Sequence, residues 1–330
     1  MKAFELHEAR SVEDAVALLG KYNASAKIIA GGSDLLGMMK DQITGPSLPY
    51  PEHLVDVSAI PEFATINRVS DGLRVGAGVT LADLEASSDV NAAWSLLAQA
   101  AASAASPLIR NFGTLGGNIN QRPRCWYFRG TQFNDCYKRG GDFCFAVTGK
   151  NAYHAIIGGE LCYFVHPSDT ATALVAMNAS AKLAGPDGQR TVPFEEYFVG
   201  PREDVLRENV LKPGEVLVEV LIPTPPANTR SAWIKVKSRQ VYDFAVASVA
   251  VAFTEENGTW KDGRIVLGGV APKPYRATGV EEALQGKSIT DNIDNAVQRL
   301  TSAARPMSDN AYKVTLAEAL IKQAILKALA

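Results

Sequence analysis

The chain has 330 residues, enough for two or three packed units, and 47% hydrophobic residues to build their cores, which excludes a disordered chain. Its 33 Lys and Arg stand against 35 Asp and Glu with no long block of one sign, so neither nucleic acid nor a polybasic membrane surface is expected as a partner. No apolar run approaches the ~20 residues of a spanning helix, and the start, MKAFELHEARSVEDA, lacks the basic and apolar regions of an export signal. No membrane insertion is expected, and a cytoplasmic location by the chain's own sequence.

In chain order, MKAFELHEA reads as a short strand, and Ser11 caps a helix over Val12 to Lys21 with Asp14 in a weak capping box. KIIA forms a buried strand ending at Gly31 and Gly32, HLVDVSAI a second, and LRVGAGV a third after the Asp71-Gly72 turn. Residues 80 to 105 are Ala-rich and helical. Residues 106 to 168 break the rhythm, carrying all four cysteines and many glycines. SDTATALVAMNA is a helix, SAKLAGPDGQRTVPF a hairpin turning at Asp187-Gly188, and GEVLVEVLIP a strand running into PTPPANT, a candidate linker near residues 223 to 230. Three strands (SAWIKVK, ASVAVAFT, GRIVLGGV) then precede two or three helices, which predicts an antiparallel sheet with helices on one face and an α+β class overall.

Two glycine pairs stand out, one in IIAGGSDLL and one in RNFGTLGGNIN, each beside a hydroxyl and a polar side chain. N–H groups unshielded by Cβ atoms converge on phosphate oxygens, and a helix opening there adds its dipole, so two such loops suggest one pyrophosphate held from two sides. Neither loop fits G-x-G-x-x-G, which disfavours a Rossmann site. Tight turns or helix caps remain the competing reading.

Cys125, Cys136, Cys144 and Cys162 lie within 38 residues, and no other cysteine occurs. A disulfide pair does not suit a large chain without an export signal, and structural zinc usually pairs its cysteines as C-x2-C, whereas ten, seven and seventeen residues separate these. An iron–sulfur cluster accepts wider spacing. Arg122, Arg124, Arg129, Lys138, Arg139 and Lys150 outnumber Asp135 and Asp142 by four, a surplus that would offset a negative cluster. Trp126, Tyr127, Phe128, Phe133, Phe143 and Phe145 would shield it. Incidental buried cysteines remain the bland alternative. No Ser-His-Asp set, H-E-x-x-H or P-loop appears, and His7, His53, His154 and His166 are scattered, so hydrolysis and phosphoryl transfer have no candidate residues.

IIAGGSDLL and GTLGGNI resemble the two flavin loops of the FAD-binding subunits of the molybdenum hydroxylases, the xanthine dehydrogenase and carbon monoxide dehydrogenase family. The resemblance implies a vanillyl-alcohol-oxidase-type (PCMH) FAD-binding domain over residues 1–225 and a smaller C-terminal domain over 226–330. It implies FAD held by Ile29, Ala30, Gly31, Gly32, Ser33, Asp34 and Leu35 and by Thr114, Gly116, Gly117 and Asn118. Asp169 would bond flavin-side hydroxyls, Leu217 would lie against the isoalloxazine, and Lys235 would stand near its pyrimidine end. RCWYFRGTQFNDCYKRGGDFC followed by GELCYFVHPSD is similar to an insertion, here about 121–165, that binds a 4Fe-4S cluster through four cysteines in flavin subunits of bacterial periplasmic aldehyde oxidoreductases. The implied function is an electron-transfer subunit of a heterotrimer with a large molybdenum-cofactor subunit and a small 2Fe-2S subunit. No side chain of this chain would be catalytic on the organic substrate, and the acceptor stays open. The family also carries two implied variations: a 4-hydroxybenzoyl-CoA reductase-like enzyme as the alternative activity, and periplasmic location by co-export with a partner. A zinc-stabilised interaction module is the alternative from another class.

Overall fold

The computed structural model describes residues 1–239 and 241–330. The chain opens with β1 (Glu5–Glu8), α1 (Val12–Tyr22), β2 (Ala26–Ile29), α2 (Leu35–Lys40) and β3 (His53–Asp56). Ser11 caps α1 by accepting the Asp14 N–H, while the Asp14 carboxylate reaches back to the N–H of Arg10 rather than of Ser11. The three strands form a parallel sheet in the order β1-β3-β2, with Leu54 and Val55 of the central strand fully buried. A parallel pair needs a crossover, and α1 supplies the one from β1 to β2.

A second sheet, antiparallel, combines β4 (Ile66–Val69), β5 (Gly72–Gly76), β6 (Ser180–Gly185), β7 (Gly188–Pro193) and β8 (Val216–Pro223) in the order β4-β5-β8-β6-β7. β4 was not anticipated: INRV is short and half polar, and what makes it a strand is pairing with β5 across the Asp71-Gly72 turn. The expected hairpin at Asp187-Gly188 is present, with Gly188 at φ +104° as the turn requires. The Ala-rich stretch is three helices: α3 (Leu81–Ala86), α4 (Ser88–Ala93) and α5 (Ser95–Ser103). Ser87 ends the first and caps the second through the Val90 N–H, because its side chain competes with continued helix. The short helices α6 (Pro107–Arg110), α7 (Leu115–Ile119) and α8 (Trp126–Arg129) follow, then α9 (Asp169–Ala176) and α10 (Phe194–Tyr197).

The C-terminal sheet runs β12-β11-β10-β9, antiparallel throughout, from β9 (Thr229–Val236), β10 (Ala247–Glu256), β11 (Thr259–Gly268) and β12 (Tyr275–Arg276). Four helices follow, α11 (Thr278–Leu284), α12 (Ile289–Val297), α13 (Arg299–Ala303) and α14 (Tyr312–Leu329). Val249, Val251 and Phe253 of β10 pack with Ile321 and Ile325 of α14, while Ala250 of the same strand packs into the other core with Leu97 of α5 and Leu174 of α9. The sheet is therefore covered on both faces, which explains why β10 reads as nearly continuous apolar sequence. Among the described residues no helix is long and apolar enough to cross a membrane.

Candidate functional site

The first glycine loop leaves the end of β2 and opens α2. Gly32 sits at φ +67°, a left-handed conformation that costs other residues strain. Among the described residues, the N–H groups of Gly31, Gly32, Ser33, Asp34 and Leu35 donate to no protein acceptor. They form a run of five bare donors.

The second loop abuts the first. A Cβ on Gly31 would lie 1.8 Å from the carbonyl oxygen of Phe112, so the two bends approach as closely as backbones allow. The amides of the second loop, however, are largely spent inside the protein. Leu115 donates to the Val79 carbonyl, Gly116 to that of Ala77, Gly117 to the Thr114 hydroxyl and Asn118 to the Thr114 carbonyl. The expectation of two symmetric amide cradles is corrected: the first loop offers N–H groups, and the second offers side chains and a bare surface. Asn118 is the clearest of these. Its Oδ1 accepts from Ser168 at 2.6 Å and from Thr170 at 2.7 Å, which leaves its amide NH2 as the group to donate outward.

Both loops face one cleft of about 930 Å³, and every residue singled out for flavin lines it: Ile29 to Leu35, Thr114, Gly116, Gly117, Asn118, Asp169, Leu217 and Lys235. Asp169 does not cap α9; Ser168 does, through the Ala171 N–H. The Asp169 carboxylate is instead bound 2.5 Å from the Lys235 ammonium, which also donates to the Ser103 carbonyl at 3.0 Å. Burial pushes the Asp169 carboxyl up, and Lys235 opposes that. Lys235 is an inward residue of β9, 3% exposed, and Leu217 is a buried residue of β8. Arg239, Tyr242, Asp243 and Phe244 close the cleft from the C-terminal side.

Asp34 lines the cleft, but its carboxylate is already committed. It accepts the Arg122 N–H at 2.8 Å and pairs with the guanidinium groups of Arg124 at 2.8 Å and Arg129 at 2.7 Å. All three belong to the cysteine-bearing segment, so the first glycine loop is latched to the start of that segment. Lys138 and Arg122 in turn both pair with Glu208. Asp34 and Glu208 thus offset two of the four surplus positive charges read from the segment. Lys138 lines the cysteine pocket, and the charges of Arg139 and Lys138 favour the thiolates of Cys136 and Cys162 respectively.

Cys125, Cys136, Cys144 and Cys162 all line a single small pocket, walled by Phe128, Phe143, Phe145 and Phe164 among others. All are free thiols. Trp126 is half exposed and packs edge-on against Tyr153. Burial pushes the Cys125 thiol up to about 12 and raises Cys136; a hydrogen bond from Cys162 pulls Cys144 down to about 6, and Cys162 rises in consequence. The dry pocket therefore holds Cys125, Cys136 and Cys162 as thiols, and a cationic centre is what would take the place of those protons. No three of these sulfurs lie within 4.8 Å of one another among the described residues, wider than the ~3.8 Å edge that 2.3 Å Zn–S bonds impose on a tetrahedron.

His154 was missed by the sequence reading. Its Nε2 lies 3.2 Å from the Cys125 sulfur, and burial pulls it down to about 4, so it is a neutral ring beside that thiol. His166 is buried edge-on against Phe198 and is lowered to about 3 by the same cause, which makes it a neutral packing residue. Only proximity in the fold reveals His154, whereas the position of His166 before Pro167 already suggests a buried, hydrogen-bonded ring, and its Nδ1 accepts the Ser168 N–H at 3.4 Å.

Residues 2–225 match the family model of the FAD binding domain in molybdopterin dehydrogenase, and residues 232–328 match that of the CO dehydrogenase flavoprotein C-terminal domain. The chain is 34% identical to the aldehyde oxidoreductase FAD-binding subunit PaoB of Escherichia coli K12 over 99% of both chains. It is 33% identical to the carbon monoxide dehydrogenase medium chain of Hydrogenophaga pseudoflava, over 98% of this chain and 96% of that one. A solved structure of the Hydrogenophaga pseudoflava carbon monoxide dehydrogenase superimposes with a TM-score of 0.79 at 32% identity, covering 99% of this chain and 98% of its own.

Proposed function

Because the chain belongs to the FAD-binding subunits of the molybdenum hydroxylase family, we propose that it is the electron-transfer subunit of a molybdenum-dependent aldehyde oxidoreductase, holding FAD in the cleft and a 4Fe-4S cluster in the cysteine pocket. It would collect electrons released at a large molybdenum subunit, through a small 2Fe-2S subunit, and pass them to an external acceptor. The relatives' description as medium chains and subunits supports the multi-subunit setting. The family matches, 2–225 and 232–328, support the proposed division at residue 225.

The observation that carries this reading is that four cysteines from separated points of the segment line one aromatic-walled pocket, latched through Asp34 to the loop with bare amides. FAD supplies the exchange between paired and single electrons, and the cluster single-electron transfer. The chain's own residues hold and orient. The N–H groups from Gly31 to Leu35 would bind the pyrophosphate, and the Asn118 amide would donate from the other side. Leu217 would lie against the flavin ring, excluding water. Lys235, fixed by Asp169, would place its positive charge near the pyrimidine end, where it favours added electron density. Cys125, Cys136, Cys144 and Cys162 would ligate the cluster. Thiolates and cluster call for assembly in a reducing compartment, so we place folding and cofactor loading in the cytoplasm, with any periplasmic location reached by export with a partner.

The test is the complex purified with its partners and assayed with aldehydes and with 4-hydroxybenzoyl-CoA. Oxidation of aldehydes with bleaching and recovery of the flavin spectrum is expected. Activity confined to the thioester would transfer the assignment to a reductase of aromatic acyl-CoA.

A further inference from the structure

Outside the cleft and the cysteine pocket, three ligand atoms converge at the outer edge of the first sheet. β1 and β3 run parallel with Glu5 opposite His53, and His7 follows Glu5 on the same face of its strand. His7 Nε2 lies 3.1 Å from His53 Nδ1, and Glu5 Oε2 lies 3.6 Å from the first nitrogen and 3.4 Å from the second. The four-ligand geometry of zinc, with bonds of ~2.0–2.1 Å to nitrogen and oxygen, requires ligand atoms about 3.3–3.4 Å apart. The observed triangle has that size. Three potential ligand atoms of two histidines and a carboxylate thus lie close enough together to share one cation.

The rings are also held in place. Tyr22 at the end of α1 stacks on His53 with centroids 3.8 Å apart and on His7 at 4.7 Å. Both histidine side chains are mostly buried, at 20% and 17% exposure, while Glu5 is 69% exposed and leaves the fourth position to solvent. We propose that Glu5, His7 and His53 form a binding site for a divalent ion of the zinc class, distinct from the cysteine pocket. The site ties β1 to β3 beside the cleft, since Asn23 and Ala24 follow Tyr22 and line it, and Pro51 precedes His53 by two residues and lines it too. Its role is a brace for the rim rather than chemistry on a substrate.

Co2+ is the probe, because its spectrum separates nitrogen and oxygen ligands from thiolates. The full-length protein titrated with Co2+ should gain one equivalent with visible d–d bands and no sulfur-to-cobalt charge transfer. His7→Ala, His53→Gln and Glu5→Gln should each weaken binding by at least the about tenfold that loss of even an outer-sphere partner costs. Cys136→Ser should leave this equivalent unchanged, and Zn2+ should raise the thermal midpoint of the wild type but not of His53→Gln. Glu5→Gln alters an exposed side chain and keeps the test valid if a histidine variant misfolds. Binding that survives all three substitutions, cobalt bound only with thiolate bands, or no binding overturns the proposal.

Discussion

Asp34 and Arg129, 95 residues apart in the chain, are joined by a 2.7 Å ion pair that ties the first glycine loop to the cysteine segment. Arg124 shares the same carboxylate oxygen, and the Arg122 backbone uses the other. Asp34→Ala leaves two mostly buried guanidinium groups without their counter-ion, at a cost of about 2–4 kcal/mol. The variant should lose FAD and show faster proteolysis within residues 121–165, read by limited digestion and flavin release. Loss of flavin with an unchanged digestion pattern would mean that Asp34 serves only the cleft.

The two loops differ in what a methyl group meets. A Cβ at residue 31 would strike the Phe112 carbonyl at 1.8 Å, whereas at residue 117 it meets only the Thr114 hydroxyl at 3.0 Å. Gly31→Ala should therefore separate the loops and destabilise the apoprotein as well as abolish flavin binding. Gly117→Ala should change the apoprotein's unfolding free energy by no more than about 1 kcal/mol, since only the Thr114 hydroxyl must give way, and should weaken FAD binding. Urea curves on apoprotein and flavin titrations on the same samples distinguish these outcomes.

Lys235→Met should be among the most damaging single changes. It strands the buried Asp169 carboxylate, for which about 3–5 kcal/mol is typical. Asp169 then takes up a proton at higher pH than in the wild type. The double variant Lys235→Met/Asp169→Leu should recover most of the stability but not the flavin's reduction potential. A double variant that recovers both would remove Lys235 from any role beside the ring.

Lys313 is buried with no carboxylate, its ammonium donating to the carbonyls of Tyr153, His154 and Gly269, and burial pulls it from 10.5 down to about 7. Between those values the unfolded chain holds a proton that the folded chain gives up, so this residue makes stability rise with pH across that window and is most costly below it. Its share of the slope is at most about 1.4 kcal/mol per pH unit. Comparing Lys313→Met with the wild type by urea denaturation from pH 7 to 9 should show the wild type gaining relative to the variant as pH rises. Parallel curves would mean that the three carbonyls keep the lysine charged throughout.

What was legible in the sequence was local. Glycine pairs announce backbone that tolerates no side chain, and the crowding of four cysteines in one segment announces a shared neighbourhood; the residues of each set line one pocket. What was hidden depends on distant partners. Asp34 reads as a ligand-facing residue until Arg124 and Arg129 fold onto it. The amides of the second loop read as free until the carbonyls of Ala77 and Val79 arrive. Arg122 and Lys138 read as charge for a cluster until Glu208 claims them. His7 and His53 are 46 residues apart and became neighbours only through parallel pairing of β1 and β3.

The most direct test is iron, zinc and flavin analysis of the anaerobically purified full chain, together with its electron paramagnetic resonance after reduction. One flavin accompanied by one 4Fe-4S signal, with Cys136→Ser abolishing the signal, is the expected result. Flavin bound with zinc and no iron would leave the cleft assignment standing and contradict the cysteine pocket as a cluster site. A colourless protein holding neither would contradict both.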